Sequence, residues 1–297
     1  MDKTLAWLWL ADAVGSGCQY AQELLTLYPD PAELYDALRA GTEAPPACLT
    51  PHALAQLRDT TPFDYEERLD HCLLSGIDVL TPDEGVYPDR LRDLPDLPLA
   101  LYVTGDIACL NGRRYAGMVG TRRPSTYGRQ AAFDLSLAMA RAGVVLVSGL
   151  ADGLDSEAHR AAVQADVPTV AFLGTAIDKT YPASNAKLRT AIEKGGGAAC
   201  SEYPPGYSGR TTGTFLARNR LIAAQSEALC VAEARTRSGT LNTVGHAERL
   251  GRPVLAVPGS IYSALSEGTN ELLRTHRAEP LCKAADALDI LGIGAET

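Results

Sequence analysis

Residues 115–130 read Tyr-Ala-Gly-Met-Val-Gly-Thr-Arg-Arg-Pro-Ser-Thr-Tyr-Gly-Arg-Gln, and they hold a strand, a turn and the start of a helix. Tyr115 to Val119 is short, mostly apolar and ends at a glycine, as a buried strand does. Ser125 offers a helix N-cap, and Ala132, Leu135 and Met139 follow at helical spacing. Gly120, Thr121, Arg122 and Arg123 make the turn between them. In a parallel sheet such a turn lies at the carboxyl end of a strand, where α/β proteins place their ligands. The helix N-terminus presents free N–H groups and partial positive charge, so an anion is expected there. Two arginines specify a phosphate or a carboxylate. Arg113, Arg114 and Arg129 crowd the same stretch and its flank with no acid among them. That density favours a basic site over a solvated pair.

Outward from this stretch, 297 residues suffice for one sizeable core and a smaller domain. No segment reaches the ~18 consecutive apolar residues of a membrane span. Met1-Asp2-Lys3 and the short Trp-rich run behind it do not make a signal peptide. Seven scattered cysteines (18, 48, 72, 109, 200, 230, 282) contain no Cys-x-x-Cys. Neither a disulfide framework nor a zinc site follows, so buried thiols in a reducing cytoplasm are expected. Net charge is −9 but uneven: residues 1–100 hold 18 acids and 6 bases, leaving 18 acids and 21 bases for the rest. The first part is therefore −12 and the remainder +3, so an anionic partner suits the larger part alone.

Three parts are expected, at 1–75, 76–112 and 113–297. The first reads as short helices at Leu5–Ala13, Ala21–Leu27, Pro31–Arg39 and Pro51–Arg58, with prolines in first turns. Its Val14-Gly15-Ser16-Gly17 break could grip a phosphate between two helices, but the acidic surroundings favour packing or protein contact. The second is Pro- and Asp-rich, with one strand at Leu99–Thr104. In the third, strands at Tyr115–Val119, Val144–Ser148, Thr169–Leu173, Ala198–Glu202, Ala228–Ala232 and Val254–Val257 alternate with helices. The helices lie at Tyr127–Ala142, Leu154–Ala165, Ala186–Lys194 and Leu241–Leu250. Such alternation means βαβ units and a parallel sheet, an α/β fold.

The loops after these strands hold the chemistry. Ser148-Gly149-Leu150-Ala151-Asp152-Gly153 is a small-residue turn that a ligand backbone could approach. Later loops bring Lys179 and Tyr181, then Arg210 and the run Phe215 to Arg220, then Arg235 and Arg237 before Ser238-Gly239-Thr240. One rim is expected to gather Arg122, Arg123, Lys179, Arg218, Arg220, Arg235 and Arg237 beside Tyr181 and Phe215. Guanidinium forks plus flat rings suit phosphates and stacked bases. No Gly-x-Gly-x-x-Gly follows the first strand and no Gly-x-x-x-x-Gly-Lys-Ser/Thr exists, so neither a dinucleotide cofactor nor ATP hydrolysis is expected. Asp155 and His159 share a helix face but lack a third ligand, so a structural hydrogen bond is preferred to a metal. His246 and Glu248 read as ordinary helix residues. Ser148 and Ser238 have no convincing His/acid pair, and no catalytic residue is assigned.

Several of these stretches together resemble the signature of the DNA-processing DprA (Smf) family. They are Val119-Gly-Thr-Arg-Arg-Pro-Ser-x-Tyr-Gly128, Ser148-Gly-Leu-Ala-x-Gly-x-Asp-x-x-Ala-His159, Asp178-x-x-Tyr-Pro-x-x-Asn185 and Phe215-x-x-Arg-Asn-Arg-x-Ile222. Ser238-Gly-Thr240, Val257-Pro-Gly-Ser260 and Gly268-Thr-Asn270 continue the match, which spans about Gly76 to Leu288. The N-terminal helices are similar to the family's SAM-like module. The resemblance implies a Rossmann-like domain that binds single-stranded DNA, dimerises, and hands the strand to the RecA recombinase during natural transformation in a bacterial cytoplasm. The DNA contacts it implies are Gly120, Thr121, Arg122 and Arg123, the turn with Ser148, Gly149 and Gly153, and Lys179, Tyr181, Asn185 and Lys187. Phe215, Ser238, Gly239 and Thr240 complete them, while Arg218, Asn219 and Arg220 match a run that could orient the loop instead of touching DNA. Ala183 stands where the family often carries a basic residue, and Lys187 lies four positions on. Many members continue into a C-terminal winged-helix domain; with the chain stopping at Thr297, its absence is expected.

Two other readings compete with a non-enzymatic DNA binder. Similar Rossmann folds serve nucleotide phosphoribohydrolases of the lysine-decarboxylase-like group. Gly239-Thr240 matches part of their motif, but Thr243 replaces the glutamate that acid/base chemistry needs. The other reading is an adaptor whose acidic N-terminal part contacts proteins or folds over the basic rim as an electrostatic brake.

Overall fold

The computed structural model describes residues 3–41, 44–209 and 211–294, so Arg210 lies outside the described residues. The acidic first part folds as α1 (Lys3–Val14), α2 (Ala21–Leu27), α3 (Pro31–Ala40), α4 (Pro51–Asp59) and α5 (Glu66–Leu74). α1 buries the whole run Leu5 to Leu10, and Trp9 meets Tyr35 edge-on at 5.4 Å between ring centroids. Prolines open α3 and α4, where Asp30 and Thr50 accept the N–H groups of Ala32 and Ala53. At the glycine break, Gly15 and Gly17 take φ of 75° and 72°, and Ser16 Oγ donates to Glu202 Oε2 at 2.9 Å. This turn packs onto the sheet.

The sheet is built from β1 (Asp78–Leu80), β2 (Leu101–Gly105), β3 (Tyr115–Val119), β4 (Val145–Ser148), β5 (Thr169–Phe172), β6 (Ala198–Ser201), β7 (Ala228–Val231), β8 (Val254–Ala256) and β9 (Glu279–Pro280). Helices α6 (Asp89–Arg92), α7 (Thr126–Arg141), α8 (Leu154–Gln164), α9 (Ala186–Lys194), α10 (Thr212–Gln225), α11 (Gly239–Arg249), α12 (Glu267–Arg274) and α13 (Ala284–Ile290) accompany it. Strand order is β1-β2-β6-β5-β4-β3-β7-β8-β9. Neighbours from β6 to β9 are parallel, whereas β1 and β2 add antiparallel to the β6 edge. The chain winds from β3 out to β6, then returns to place β7 on the other side of β3. Loops leave the carboxyl ends of β3 and β7 in opposite directions, which opens a crevice at that switch point.

The central strands are buried on both faces, so they read as continuous apolar runs. Their pleat still sorts side chains. Tyr115, Val119, Val145, Val147, Leu229 and Val231 join Leu221 and Ile222 of α10, Val244 of α11 and the tryptophans of α1 in one core layer. Ala116, Met118, Leu146, Ala228 and Cys230 join α7, α8 and α13 in the other. Sequence spacing placed β3 and α9 to the residue and the other parallel strands from β4 to β8 within one residue at either end. Several features differ from expectation. Segment 76–112 contributes two strands to the sheet instead of one, and the run after Arg210 is the helix α10, not a loop. β9 and α12 carry too few apolar positions to stand out, and α13 is short, seven residues. The expected burial of the cysteines fails at Cys282, which is exposed, and Cys48, which is half-buried; all seven are free thiols. Among the described residues no helix is long and apolar enough to cross a membrane.

Candidate nucleic-acid interface

A groove of about 560 Å³ lies across the carboxyl ends of β3, β4 and β7. Its walls are the Gly120-Thr121-Arg122 turn, the start of α10 at Thr211 and Thr212, and the start of α11 at Ser238, Gly239 and Thr240. Arg122 is exposed, and its guanidinium sits 5.3 Å from the centroid of the Phe215 ring. Phe215 in turn meets Tyr181, 37% exposed, at 5.4 Å between centroids. One cation and two rings thus form a single lip. Arg123, Lys187, Arg235 and Arg237 are exposed nearby and carry no ion pair among the described residues. Lys179 is exposed too, with Nζ donating to the Tyr207 carbonyl at 3.0 Å.

Other expected contacts are committed to the protein itself. Ser148 is fully buried and donates to the Met118 carbonyl at 2.6 Å, so its hydroxyl faces no ligand. Asn185 is buried, donating to the Leu150 carbonyl and to Ser156 Oγ at 2.9 and 3.0 Å. Asn219 is buried and donates to Gly239 O and Asn242 Oδ1. Arg218 lies under the groove, donating to the carbonyls of Gly149 and Phe172, and burial pushes its pKa down to about 10. Arg220 turns away altogether, 2% exposed, into a double hydrogen bond with Glu202. The expected rim therefore loses Arg218 and Arg220. Arg113 and Arg114 precede β3 and stand at the opposite end of the sheet, where Arg114 pairs with Glu227. Arg129 pairs with Glu157.

The glycines of the β4 turn serve internal contacts as well. A Cβ on Gly149 would lie 2.5 Å from the Arg218 guanidinium. Gly153 has φ 84°, and a Cβ there would lie 2.4 Å from the Thr121 carbonyl. The close approach predicted for a ligand is made by Arg218 and by the Gly-Thr-Arg turn. Gly149 still lines a smaller cleft beside Arg122, Arg123 and Tyr181.

The anion expected at the N-terminus of α7 is present, and it belongs to the chain. Glu233, 1% exposed at the end of β7, accepts the Ser125 N–H at 2.9 Å and the Ser125 hydroxyl at 2.6 Å. Ser125 Oγ accepts the Gly128 N–H at 3.0 Å. The Glu233 carbonyl also accepts the Thr121 N–H at 2.9 Å, so one residue ties β7 to the turn after β3. A Cβ on Gly128 would meet the Glu233 carboxylate at 2.2 Å. Arg122 and the first turns of α10 and α11 remain open to the groove.

Asp155 and His159 do not meet as metal ligands. Asp155 accepts the Gly149 N–H at 3.2 Å, and burial raises its pKa although Arg218 opposes the rise. His159 Nδ1 lies 2.8 Å from Thr169 Oγ1, whose proton goes to the Leu146 carbonyl. Nδ1 must then be the protonated nitrogen, and Nε2 is buried without a partner among the described residues. Burial drives the pKa of His159 down to about 3. The folded state thus refuses a proton that the unfolded chain accepts near pH ~6.5. Stability is full above that pH and falls by up to ~1.4 kcal/mol per pH unit as pH drops towards 3. His159→Gln is expected to flatten that part of the stability profile; denaturant midpoints with identical pH slopes in parent and variant would disprove it.

The role of Glu233 went unread in the sequence, where it stood as the first residue of a loop. The available signal was a lone acid ending an apolar strand beside a basic turn. The start of α10 was missed likewise, although Thr211 and Thr214 form a reciprocal capping pair before an apolar run.

Comparison with known proteins finds relatives over most of the chain. A DNA processing protein DprA of Bacillus subtilis is 33% identical over 73% of this chain and 72% of its own length. The crystal structure of Streptococcus pneumoniae DNA processing protein A superposes with a TM-score of 0.79 at 28% identity, covering 96% of this chain and 97% of that one. DNA processing protein A of Helicobacter pylori, described for its single-stranded DNA binding mode, superposes with a TM-score of 0.64 at 30% identity over 72% of this chain and 95% of that one. The profile of DNA recombination-mediator protein A matches residues 78–292, from β1 through the whole groove, and the chain belongs to that family.

Proposed function

We propose that the chain binds single-stranded DNA along the carboxyl rim of its parallel sheet and, as a homodimer, delivers the strand to the RecA recombinase. The observation that carries the first half is the lip of Arg122, Phe215 and Tyr181 beside the helix starts at Thr211 and Ser238. Stacked rings take unpaired bases of any sequence, and arginine with helix N-termini takes the phosphates between them. A duplex hides its base faces, so single strands are preferred. The single-stranded DNA binding mode of the H. pylori relative supports the same reading. Delivery to a recombinase rests on membership of a mediator family, and two-fold self-association is the usual geometry of such assemblies. Residues 1–75 line no part of the groove among the described residues, which suits a helical SAM-like protein-contact module better than a brake on DNA.

Binding without bond-breaking fits the groove's chemistry. Among its described lining residues Asp155 is the only acid, and it is engaged by Gly149 N–H. Thr243, where a phosphoribohydrolase-like enzyme would carry its glutamate, is 2% exposed. Fluorescence anisotropy with labelled oligothymidine and a matching duplex, at two salt concentrations, tests the proposal. Tight, salt-weakened binding of the single strand and little of the duplex is the expected result. Binding of neither form would refute it, and release of free base from a nucleoside monophosphate would restore the enzymatic reading.

A further inference from the structure

The rim does not stop at the switch point. β8 runs parallel to β7 with Val231 opposite Ala256, so the loop after β8 emerges on the same edge as the Gly-Thr-Arg turn. That loop meets Tyr127 of α7, 51% exposed, through Pro258, and it carries Ile261 and Tyr262, 81% and 93% exposed, between Ser260 and Ser263 of the cleft wall. Between Tyr127 and the loop lies a cleft of about 540 Å³ whose polar lining includes Ser125, Ser260, Ser263 and Ser266. The loop is pinned, not slack. Gly259 N–H donates to Asn270 Oδ1 at 3.1 Å and Asn270 Nδ2 returns a hydrogen bond to Gly259 O at 3.0 Å. Tyr127 Oη donates to the Pro258 carbonyl at 2.7 Å, and Tyr262 N–H donates to Ser260 Oγ at 3.2 Å. The chain thus holds an aromatic ring out in water on a braced loop.

We propose that this cleft is a second base-binding subsite, taking an uncharged base of the same single strand that crosses the Arg122 lip; the proposal rests on the DNA-binding reading above. Charge sorts the ligand. Among the described residues no cation lines the cleft, and its acid, Glu233, is 1% exposed with its oxygens held by Ser125. Cations stand between the two stations instead, as Arg123 after β3 and Arg235 and Arg237 after β7, all exposed. A strand laid across the rim would put phosphates over these arginines and a base against Tyr262. From β5, which carries the Tyr181 loop, to β8 there are four strand intervals, about 19 Å at ~4.8 Å each. At ~3.4 Å per stacked nucleotide that distance is about six nucleotides.

The test compares Tyr262→Ala with Tyr262→Phe and the parent on labelled oligothymidines of about four and about twelve nucleotides, since only the longer spans both stations. Tyr262→Ala is expected to weaken the longer oligonucleotide about ten-fold and leave the shorter one unchanged, with Tyr262→Phe like the parent on both. Because Tyr262 is almost fully exposed, an unchanged melting temperature should accompany the loss. Parent-like affinity of Tyr262→Ala for the longer strand would overturn the subsite, as would equal losses on both lengths. A change of oligomeric state by light scattering with DNA affinity unchanged would assign the loop to self-association instead. If the parent binds neither length, the DNA-binding reading falls first; if Arg122→Ala weakens both lengths while Tyr262→Ala weakens neither, only the second subsite falls.

Discussion

Replacing Arg220 with methionine is expected to lower the unfolding free energy by about 3–5 kcal/mol while the folded protein keeps its affinity for DNA. Arg220 is 2% exposed, and Glu202 accepts from both of its terminal nitrogens at 2.6 Å. Its Nε lies 3.1 Å from Asp96 Oδ2, and Nη2 donates to the Asp96 carbonyl at 2.8 Å. Burial alone would lower the guanidinium pKa, but Glu202 and Asp96 outweigh it and hold the group above its ordinary range. Methionine keeps the length and apolar stem and removes the charge. Glu202, with a side chain 5% exposed, then stays buried with Ser16 as its remaining donor. Pairing the change with Glu202→Leu should restore much of the loss, because the stranded carboxylate dominates the penalty. Urea midpoints decide it: a single variant as stable as the parent, or a double variant less stable than the single, would refute this account.

Arg122→Ala is expected to weaken single-strand binding roughly ten- to a hundred-fold, the range of one charge-assisted hydrogen bond at ~1.5–3 kcal/mol. The slope of log affinity against log salt should shrink by about 0.7, the increment for one phosphate contact on a single strand. Among the described cations, Arg122 alone combines exposure, contact with an aromatic ring and a place on the groove wall. Arg122→Lys separates the two contributions: the salt slope should stay while affinity falls part of the way, since lysine keeps the charge and loses the flat stacking face. Unchanged affinity and slope for Arg122→Ala would move the phosphate track elsewhere on the rim.

Period and punctuation made most of the fold legible. Apolar runs of four or five residues, the first three ending at glycine and most followed by a helical pattern, located β3 to β8 because burial on both sheet faces leaves such runs little else to be. Arg122 was legible for the same reason, as a turn residue at the end of a central strand. Arg218 and Arg220 were not. An arginine reads the same in sequence whether it meets a phosphate or a carbonyl, and its partners come from far along the chain: Arg220 finds Asp96 124 residues away, and Arg218 finds Gly149 69 residues away. Helix α10 was hidden by its burial, since Arg218, Asn219 and Arg220 sit among apolar neighbours and erase the amphipathic stripe. The basic flank at Arg113 and Arg114 misled because residues one or two positions before a strand stand at its opposite end.

The carboxylate of Glu233 also decides what the N-terminus of α7 can accept. In a nucleotide-binding α/β protein the first turn of the helix after the first strand is the socket for a soluble phosphate, and every metabolite bearing one competes for it. Here that socket is filled at synthesis by a tenant that cannot dissociate. A small phosphorylated molecule arriving at the rim finds a lip of scattered, individually weak holds and leaves quickly. On the proposed DNA-binding reading, a polymer with a phosphate at every step would engage many of them together and stay. Discrimination between a crowded pool of metabolites and one long strand then needs no recognition of sequence at all, only a lock whose keyhole has been closed from within.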